Sequence, residues 1–234
     1  MNKMVVLNHK NYLEFSLVKS YLLDINNLIR NDIDVVMCPN SLYIPFFRGK
    51  YNFLLGCQDV GLDVTGDVTA YACKSLDVKY ALVGHCERKE KLSESNKVIN
   101  EKIISCISNG ISPIVFLGED YYSYSMKKTG DVLIKQIKEY FSSVSVKEDI
   151  IICYEPTFSV NGDVILSNDE ISEVVSFIKM IFIRNYGVNV RVLYGGGVNE
   201  ESIKTLSKID CLDGFVLGSV SVFPDRVLKV LNTI

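Results

Sequence analysis

The chain has 234 residues, of which 48% are hydrophobic and 23% charged, and its formal net charge is -3. A charge this small, without a cluster of Lys and Arg, argues against nucleic acid or an acidic membrane surface as a partner. The first apolar run, Met4 to Leu7, is too short for a signal peptide, and no uninterrupted apolar run approaches membrane-spanning length.

Short β-branched runs alternate with segments of helical period, and this alternation repeats eight times. The predicted strands cover residues 5–8, 35–38, 53–58, 81–84, 114–117, 150–154, 190–194 and 214–217. The predicted helices cover residues 16–30, 68–76, 93–109, 132–141, 168–185, 200–208 and 225–231, and residues 121–125 are predicted to be a polar loop. Repeated strand–helix units give parallel strands with right-handed crossovers, and eight of them can close on themselves. We therefore predict an α/β fold with one (β/α)8 barrel domain over residues 1–234.

The seven cysteines are scattered singly, with no C-x-x-C pair. An odd, dispersed set is typical of a reducing compartment, so we expect a cytoplasmic location and buried, unpaired thiols. Only two histidines are available, His9 and His85, and neither has a ligand-like partner nearby in sequence. We therefore expect no metal site.

Polar residues follow several predicted strands at their carboxyl ends, and in a parallel barrel these ends open on one face. The first strand is followed by Asn8 and Lys10, the fourth by His85 and the sixth by Glu155. Glu155 precedes Pro156, where the chain leaves the sheet, which is a suitable position for a general base. Taken singly, each is more often a surface lysine, a structural histidine or a solvated turn. Their common position on one rim favours a catalytic site.

Two glycine-rich turns follow the last two strands, Gly195-Gly196-Gly197 and Gly218-Ser219. Backbone N–H groups at glycine approach an anion closely, and phosphate sites are common at this place in parallel barrels. Either turn alone is better explained as a tight connection without a ligand. As a pair, they favour phosphate binding.

The residues around His85 indicate how the site could handle negative charge. A short helix following His85 would keep its imidazole neutral, yet able to donate a hydrogen bond to a carbonyl oxygen. Lys10 would balance a developing oxyanion. Glu87 and Arg88 are interpreted as structural ions, with Glu87 orienting Lys10.

Five motifs in order along the chain resemble those of the triosephosphate isomerase family. They are Asn8-His9-Lys10 for N-x-K, Gly84-His85-Cys86-Glu87-Arg88-Lys89 for G-H-S-E-R-R, Tyr154-Glu155-Pro156-Thr157-Phe158 for Y-E-P-V-W, Tyr194-Gly195-Gly196-Gly197-Val198 for Y-G-G-S-V, and Asp213-Gly214-Phe215-Val216-Leu217-Gly218-Ser219 for D-G-F-L-V-G-G. Cys86 stands where the family usually has serine, and Phe158 where it has tryptophan. Asn161-Gly162-Asp163 stands for the usual G-T-G of the lid.

The resemblance implies a TIM barrel enzyme that interconverts dihydroxyacetone phosphate and glyceraldehyde 3-phosphate through an enediolate. It implies that Glu155 moves the proton, His85 polarises the oxygens, and Lys10 with Asn8 stabilises their charge and binds substrate. The backbone at Gly197, Gly218, Ser219 and, on the lid, Asn161 would hold the phosphate, while Glu87 and Tyr194 give structural support. No metal or organic cofactor is implied.

The segment Asp63-Val64-Thr65-Gly66-Asp67 resembles the family's protruding third loop, which enters a neighbouring subunit. By this resemblance Thr65 would approach the partner's first-strand site in a homodimer. The alternative is an ordinary turn leading into a helix.

Two other functions stay open. The same catalytic groups could serve an aldose–ketose isomerase for a longer sugar phosphate. The barrel could also bind phosphate or a partner without turnover.

Overall fold

The computed structural model describes residues 2–147, 149–160 and 164–234, and eight parallel strands in it form a closed barrel. The strands are β1 Lys3–Asn8, β2 Ile33–Cys38, β3 Leu54–Cys57, β4 Tyr80–Val83, β5 Ser112–Leu117, β6 Ile151–Tyr154, β7 Arg191–Tyr194 and β8 Gly214–Leu217. Each strand pairs with the next, and β8 returns to β1, where Met4 lies opposite Gly214. The predicted (β/α)8 barrel is confirmed.

The helices connect successive strands around the outside of the barrel. They are α1 Val18–Leu28, α2 Ile44–Phe47, α3 Ala70–Ser75, α4 Cys86–Leu92, α5 Asn96–Ser108, α6 Tyr121–Ser125, α7 Thr129–Tyr140, α8 Asn168–Tyr186, α9 Ile203–Leu206 and α10 Pro224–Leu231. The best-defined start belongs to α8, where Ser167 and Glu170 form a reciprocal capping box.

The strands are apolar throughout because both of their faces are buried. In β1 the side chains of Met4 and Val6 belong to the apolar cluster inside the barrel, while Val5 and Leu7 belong to the cluster between strands and helices. Burying one such side chain stabilises the fold by about 1.5–3 kcal/mol. Since side chains alternate along a strand, the inward series from Met4 and Val6 reaches Asn8 at the carboxyl end.

Two local predictions about helices were wrong, and one further helix begins later than predicted. Residues 121–125 form helix α6 rather than a loop, because the Asp120 side chain accepts a hydrogen bond from Ser123 N at 2.7 Å and starts the turn. The helix predicted over 93–109 is α5, which begins only at Asn96, because Ser93 adopts a left-handed conformation (φ 54°) that ends α4 and Ser95 caps α5. The helix predicted over 200–208 is α-helical only over Ile203–Leu206.

All seven cysteines are free thiols, six of them buried and Cys211 partly exposed. Among the helices that the structure describes, none combines the length and apolar composition needed to cross a membrane.

Candidate active site

The end of β1 is held in an unusual backbone conformation. Lys10 has a φ of 47°, in the left-handed region that costs a residue with a side chain about 1 kcal/mol or more. The Asn8 Oδ1 atom accepts a hydrogen bond from Lys10 N at 3.2 Å, and Gln58 Nε2 donates to Lys10 O at 2.7 Å. Ser221 Oγ also donates to Asn8 O at 3.0 Å. These bonds, made by the ends of three different strands, fix the position of Lys10.

Lys10 is paired with a carboxylate from a different strand end. Its Nζ lies 2.6 Å from Glu87 Oε1. Burial of Lys10 disfavours its ammonium, but the hydrogen bond and negative charge of Glu87 outweigh burial, so the pKa of Lys10 is raised. Lys10 therefore stays charged at the mouth of the barrel.

His85 is the N-cap residue of α4, which fixes its tautomer. Its Nδ1 atom accepts a hydrogen bond from Glu87 N at 3.3 Å, so Nδ1 carries no proton and the proton of a neutral ring lies on Nε2. That Nε2 atom lies 3.5 Å from Glu155 Oε1, and the ring packs against Phe116 at 5.2 Å. The imidazole thus presents an N–H group to the inside of the site.

Glu155 continues the inward series of β6, after Ile151 and Cys153. Its side chain is 4% exposed, and its Oε2 atom accepts a hydrogen bond from Cys86 N at 3.3 Å. At the end of β5, a Cβ atom on Gly118 would stand 1.9 Å from Glu155 O, so only glycine allows the chain to pass this close.

Lys89 lies near the same carboxylate and was not singled out by the sequence. Burial lowers its pKa, against the opposing influence of the negative charge of Glu155. Its position follows from α4, which starts at Cys86 and places Lys89 one turn further on.

A cavity of about 270 Å³ opens at the carboxyl end of the barrel. The predicted site residues that line it are Asn8, Lys10, His85, Glu155, Gly197, Gly218 and Ser219. Gly197 has a φ of 60°, which directs the turn after β7 over the cavity. Asn161, together with Gly162 and Asp163, lies outside the described residues.

Two other predicted residues, Tyr194 and Thr65, do not line this cavity. Tyr194 is buried beside Tyr154, with ring centroids 6.0 Å apart, and burial raises the pKa of Tyr194 to about 12. Thr65 is exposed at the tip of the segment after β3, away from the cavity of its own chain.

The family model for triosephosphate isomerase matches residues 3–234 of this chain. The chain belongs to the triosephosphate isomerase family. It is 31% identical over 248 aligned residues to the triosephosphate isomerase of Orientia tsutsugamushi (strain Ikeda), covering 100% of this chain and 98% of that protein. It is also 31% identical over 191 residues to the triosephosphate isomerase of Thermoanaerobacter sp. (strain X514), 77% of each chain. The resemblance found in the motifs is thereby confirmed.

One supporting residue of this triosephosphate isomerase family member was missed. Gln58 donates to both Lys10 O and, at 3.1 Å, Cys38 O, and so joins the ends of β1 and β2. It is the last residue of the strand predicted over 53–58. The rule applied to the other strands, examining the residue at each carboxyl end, would have found it.

Proposed function

We propose that the chain is a triosephosphate isomerase, an intramolecular aldose–ketose isomerase that interconverts dihydroxyacetone phosphate and D-glyceraldehyde 3-phosphate in glycolysis and gluconeogenesis. The observation that carries this proposal is one cavity of about 270 Å³ lined by a carboxylate, an imidazole, an ammonium group and two glycine-rich turns. Membership of the triosephosphate isomerase family supports it.

Glu155 is the proposed base. Its carboxylate removes a proton from the carbon beside the substrate carbonyl, and the electrons move into an enediolate. The hydroxyl proton passes from one enediolate oxygen to the other, and the same carboxyl returns its proton to the neighbouring carbon. The placement supports this role, because Glu155 is nearly buried and its backbone N donates to Leu117 O at 2.8 Å. A base fixed in this way meets the substrate without a large rearrangement of its main chain.

The charge of the enediolate requires hydrogen-bond donors at its two oxygens. His85 would donate from Nε2, which its capping bond from Glu87 N leaves protonated. Lys10 adds a positive charge that Glu87 helps to maintain, and Asn8 completes the polar wall. In a cavity shielded from water, these groups stabilise the intermediate more strongly than they would in solution.

The phosphate would bind at the glycine-rich turns of the same cavity. Backbone N–H groups at Gly197, Gly218 and Ser219 border the cavity, and the short helical turn Ser219–Val222 begins there. Asn161 is proposed as a further backbone contact. Closure of the segment that begins at Pro156 would exclude water and protect the intermediate from loss of phosphate.

The decisive experiment replaces the base with its neutral isostere. Glu155→Gln should lower kcat for glyceraldehyde 3-phosphate by about 10²- to 10⁴-fold in an assay coupled to a dehydrogenase. Binding of inorganic phosphate, measured by calorimetry, should change by less than about threefold because the anion site is untouched. Glu90→Gln, which changes an exposed carboxylate on α4, is the matched control. Near-parental turnover in Glu155→Gln would show that another residue is the base.

Substrate range distinguishes the remaining alternatives. An isomerase for a longer sugar phosphate would turn over tetrose phosphates with a higher kcat/KM than triose phosphates. A barrel that only binds phosphate would show no isomerisation of either, while still releasing heat on phosphate addition. We expect triose phosphates to be preferred.

We further propose that the chain forms a homodimer in which Thr65 contacts the partner. Large apolar side chains are exposed on the segments that follow β1, β2 and β3, neighbouring strands of the barrel. They are Tyr12, Phe15, Leu42, Phe46, Val64 and Tyr71. Phe15 and Phe46 already touch, with ring centroids 5.2 Å apart, so the exposed groups after β1 and β2 adjoin one another. Apolar surface of this kind is typical of an interface between subunits.

Sedimentation of two matched variants tests the dimer. Val64 is 67% exposed beside Thr65, and Ile183 is 54% exposed on α8. Val64→Asp should give monomers at concentrations where the parental chain is dimeric, whereas Ile183→Asp should not. A parental chain that sediments as a monomer would refute this part of the proposal.

A cytoplasmic location and a single domain over residues 1–234 complete the proposal. The first is supported by seven thiols that are all unpaired, as in proteins of reducing compartments. The second is supported by the unbroken order of barrel strands, from β1 to β8, with β8 paired to β1.

A further inference from the structure

Cys86 places a thiol beside the proposed base and the imidazole. His85, Cys86 and Glu155 are all buried, and one potential ligand atom from each lies within 4.8 Å of the other two. Cys86 Sγ is 3.9 Å from His85 Nδ1, and Glu155 Oε1 is 3.5 Å from His85 Nε2. From the sequence, Cys86 was noted only as a replacement for serine and no metal site was expected, because the third residue of the group, Glu155, is distant along the chain.

A nitrogen, a sulfur and a carboxylate oxygen are the ligands of thiophilic divalent cations. In a tetrahedral zinc site such atoms lie about 3.3–3.8 Å apart, since each stands about 2.0–2.3 Å from the metal. The spacing of the three residues therefore needs only small side-chain movements. Magnesium, which prefers oxygen ligands in octahedral geometry, does not fit this set.

We infer that His85, Cys86 and Glu155 form an inhibitory site for one thiophilic divalent cation, Zn²⁺ or Cd²⁺. On binding, the thiol of Cys86 gives its proton to water and a sulfur–metal bond forms, with no change in oxidation state. Thiolate and carboxylate then balance the two charges of the cation. The fourth position faces the cavity, because His85 and Glu155 both line it.

Binding of the cation removes two groups from the proposed reaction. The carboxylate of Glu155 can no longer accept a proton, and the ring of His85 is turned to the metal instead of the substrate. Whichever ring nitrogen ligates the metal, the 3.3 Å hydrogen bond from Glu87 N to Nδ1 is given up. Loss of activity rests on the proposed function, whereas binding of the cation does not.

Titration of the purified full chain with Cd²⁺ tests the site directly. Calorimetry and the ultraviolet thiolate-to-cadmium charge-transfer band should report one cation per chain. Cys86→Ser keeps the backbone N–H that contacts Glu155 but loses the sulfur, and it should bind Cd²⁺ about tenfold or more weakly. Cys211→Ser, which removes the partly exposed thiol, is the matched control and should bind as the parental chain does.

A second variant keeps the test valid if Cys86→Ser does not fold. Glu155→Gln should also weaken Cd²⁺ binding by about tenfold, because an amide oxygen is a poorer ligand than a carboxylate. In the isomerase assay, Zn²⁺ should inhibit in competition with substrate, a chelator should restore activity, and Mg²⁺ should have no effect.

The outcomes separate the site from the proposed reaction. Cys86-dependent Cd²⁺ binding in a chain without isomerase activity would support the site and refute the proposed function. Isomerase activity with equal Cd²⁺ affinity in the parental chain and Cys86→Ser would refute the site. Loss of binding in Cys211→Ser alone would assign the cation to the surface thiol and also refute it.

Discussion

His9 and His85 follow two different strands, and both are almost fully buried, yet their surroundings differ completely. His9 lies outside the barrel, between β1 and its covering helices, with Nε2 3.0 Å from Tyr21 Oη and its ring against Phe47. His85 lies at the mouth of the barrel, with Nε2 3.5 Å from Glu155. Burial alone therefore does not single out the histidine that we propose acts in catalysis. The face of the barrel on which the ring lies is what separates them.

The electrostatic setting of His9 follows from its position. Burial without an opposite charge lowers the pKa of His9 to about 3. Tyr21 donates its hydroxyl proton to Ser221 O at 2.7 Å, so it accepts from His9 Nε2. His9 is thus a neutral link in a chain of hydrogen bonds that ends at Asn8, because Ser221 Oγ donates to Asn8 O.

Exchanging each histidine for glutamine should have the largest effect and separates the two roles. His85→Gln should lower kcat by about 10²- to 10⁴-fold, with the free energy of unfolding changed by about 1 kcal/mol or less. His9→Gln should keep kcat within a few-fold but lower the free energy of unfolding by about 1–3 kcal/mol. Coupled assays and urea unfolding measure both quantities. Equal losses of activity in the two variants would contradict the distinction.

The pH dependence of stability sharpens the comparison for His9. Its pKa is about 3 when folded and 6.5 when unfolded, so only the unfolded chain takes up this proton between those values. The contribution of His9 to stability is therefore complete above pH 6.5 and is lost as the pH falls towards 3. Between pH 5.5 and 4, the unfolding free energy of the parental chain should fall more steeply with decreasing pH than that of His9→Gln. The two slopes should differ by about 1.4 kcal/mol per pH unit.

Parallel slopes for the two proteins would show that His9 is protonated inside the fold. The carboxylates titrate in both proteins, so their contribution cancels when one pH slope of the unfolding free energy is subtracted from the other. The difference between the two slopes therefore reports His9 alone.

A smaller effect is expected at the ion pair beside His85. Glu87→Gln removes the charge that faces Lys10 Nζ at 2.6 Å, and kcat/KM should fall by about two- to fivefold because Glu87 is partly exposed. The effect should shrink at high salt. Glu90→Gln on the same helix is the control. A salt-independent loss would mean that Glu87 acts by shape rather than by charge.

The smallest effect concerns the link between the two regions. Ser221→Ala removes the hydroxyl that donates to Asn8 O and to Gly218 O, and should lower the free energy of unfolding by about 1 kcal/mol. KM should rise by about twofold, since both acceptors border the cavity. Ser20→Ala, an exposed serine on α1, should change neither. Thermal unfolding and steady-state kinetics are the measurements.

The sequence predicted the strands better than the helices. All eight strands were found within a few residues, because β-branched runs buried on both faces are distinct from their surroundings. The start of α5 was predicted too early, at Ser93, because nothing local marks Ser93 as left-handed. Helix α6 was missed because its start depends on one capping bond from Asp120.

Strand ends also carried most of the information about the site. Asn8 and Glu155 each follow a continuous apolar run, so the sequence marks them as strand-end residues, while their inward direction is seen only in the structure. Gln58 also stands at a strand end, whereas Lys89 lies one turn into α4. Their importance comes from contacts with residues on other strands, as in the bond from Gln58 to Lys10 O.

By itself, the sequence determined the barrel, the family and the rim on which the polar residues lie, because these depend on periodicity and order along the chain. Only the tertiary structure decided which histidine faces the cavity, how Glu87 holds Lys10, and that Cys86 lies beside Glu155. Those facts depend on distances between strand ends that are far apart in sequence. Closure of the barrel sets these distances, and no local pattern encodes them.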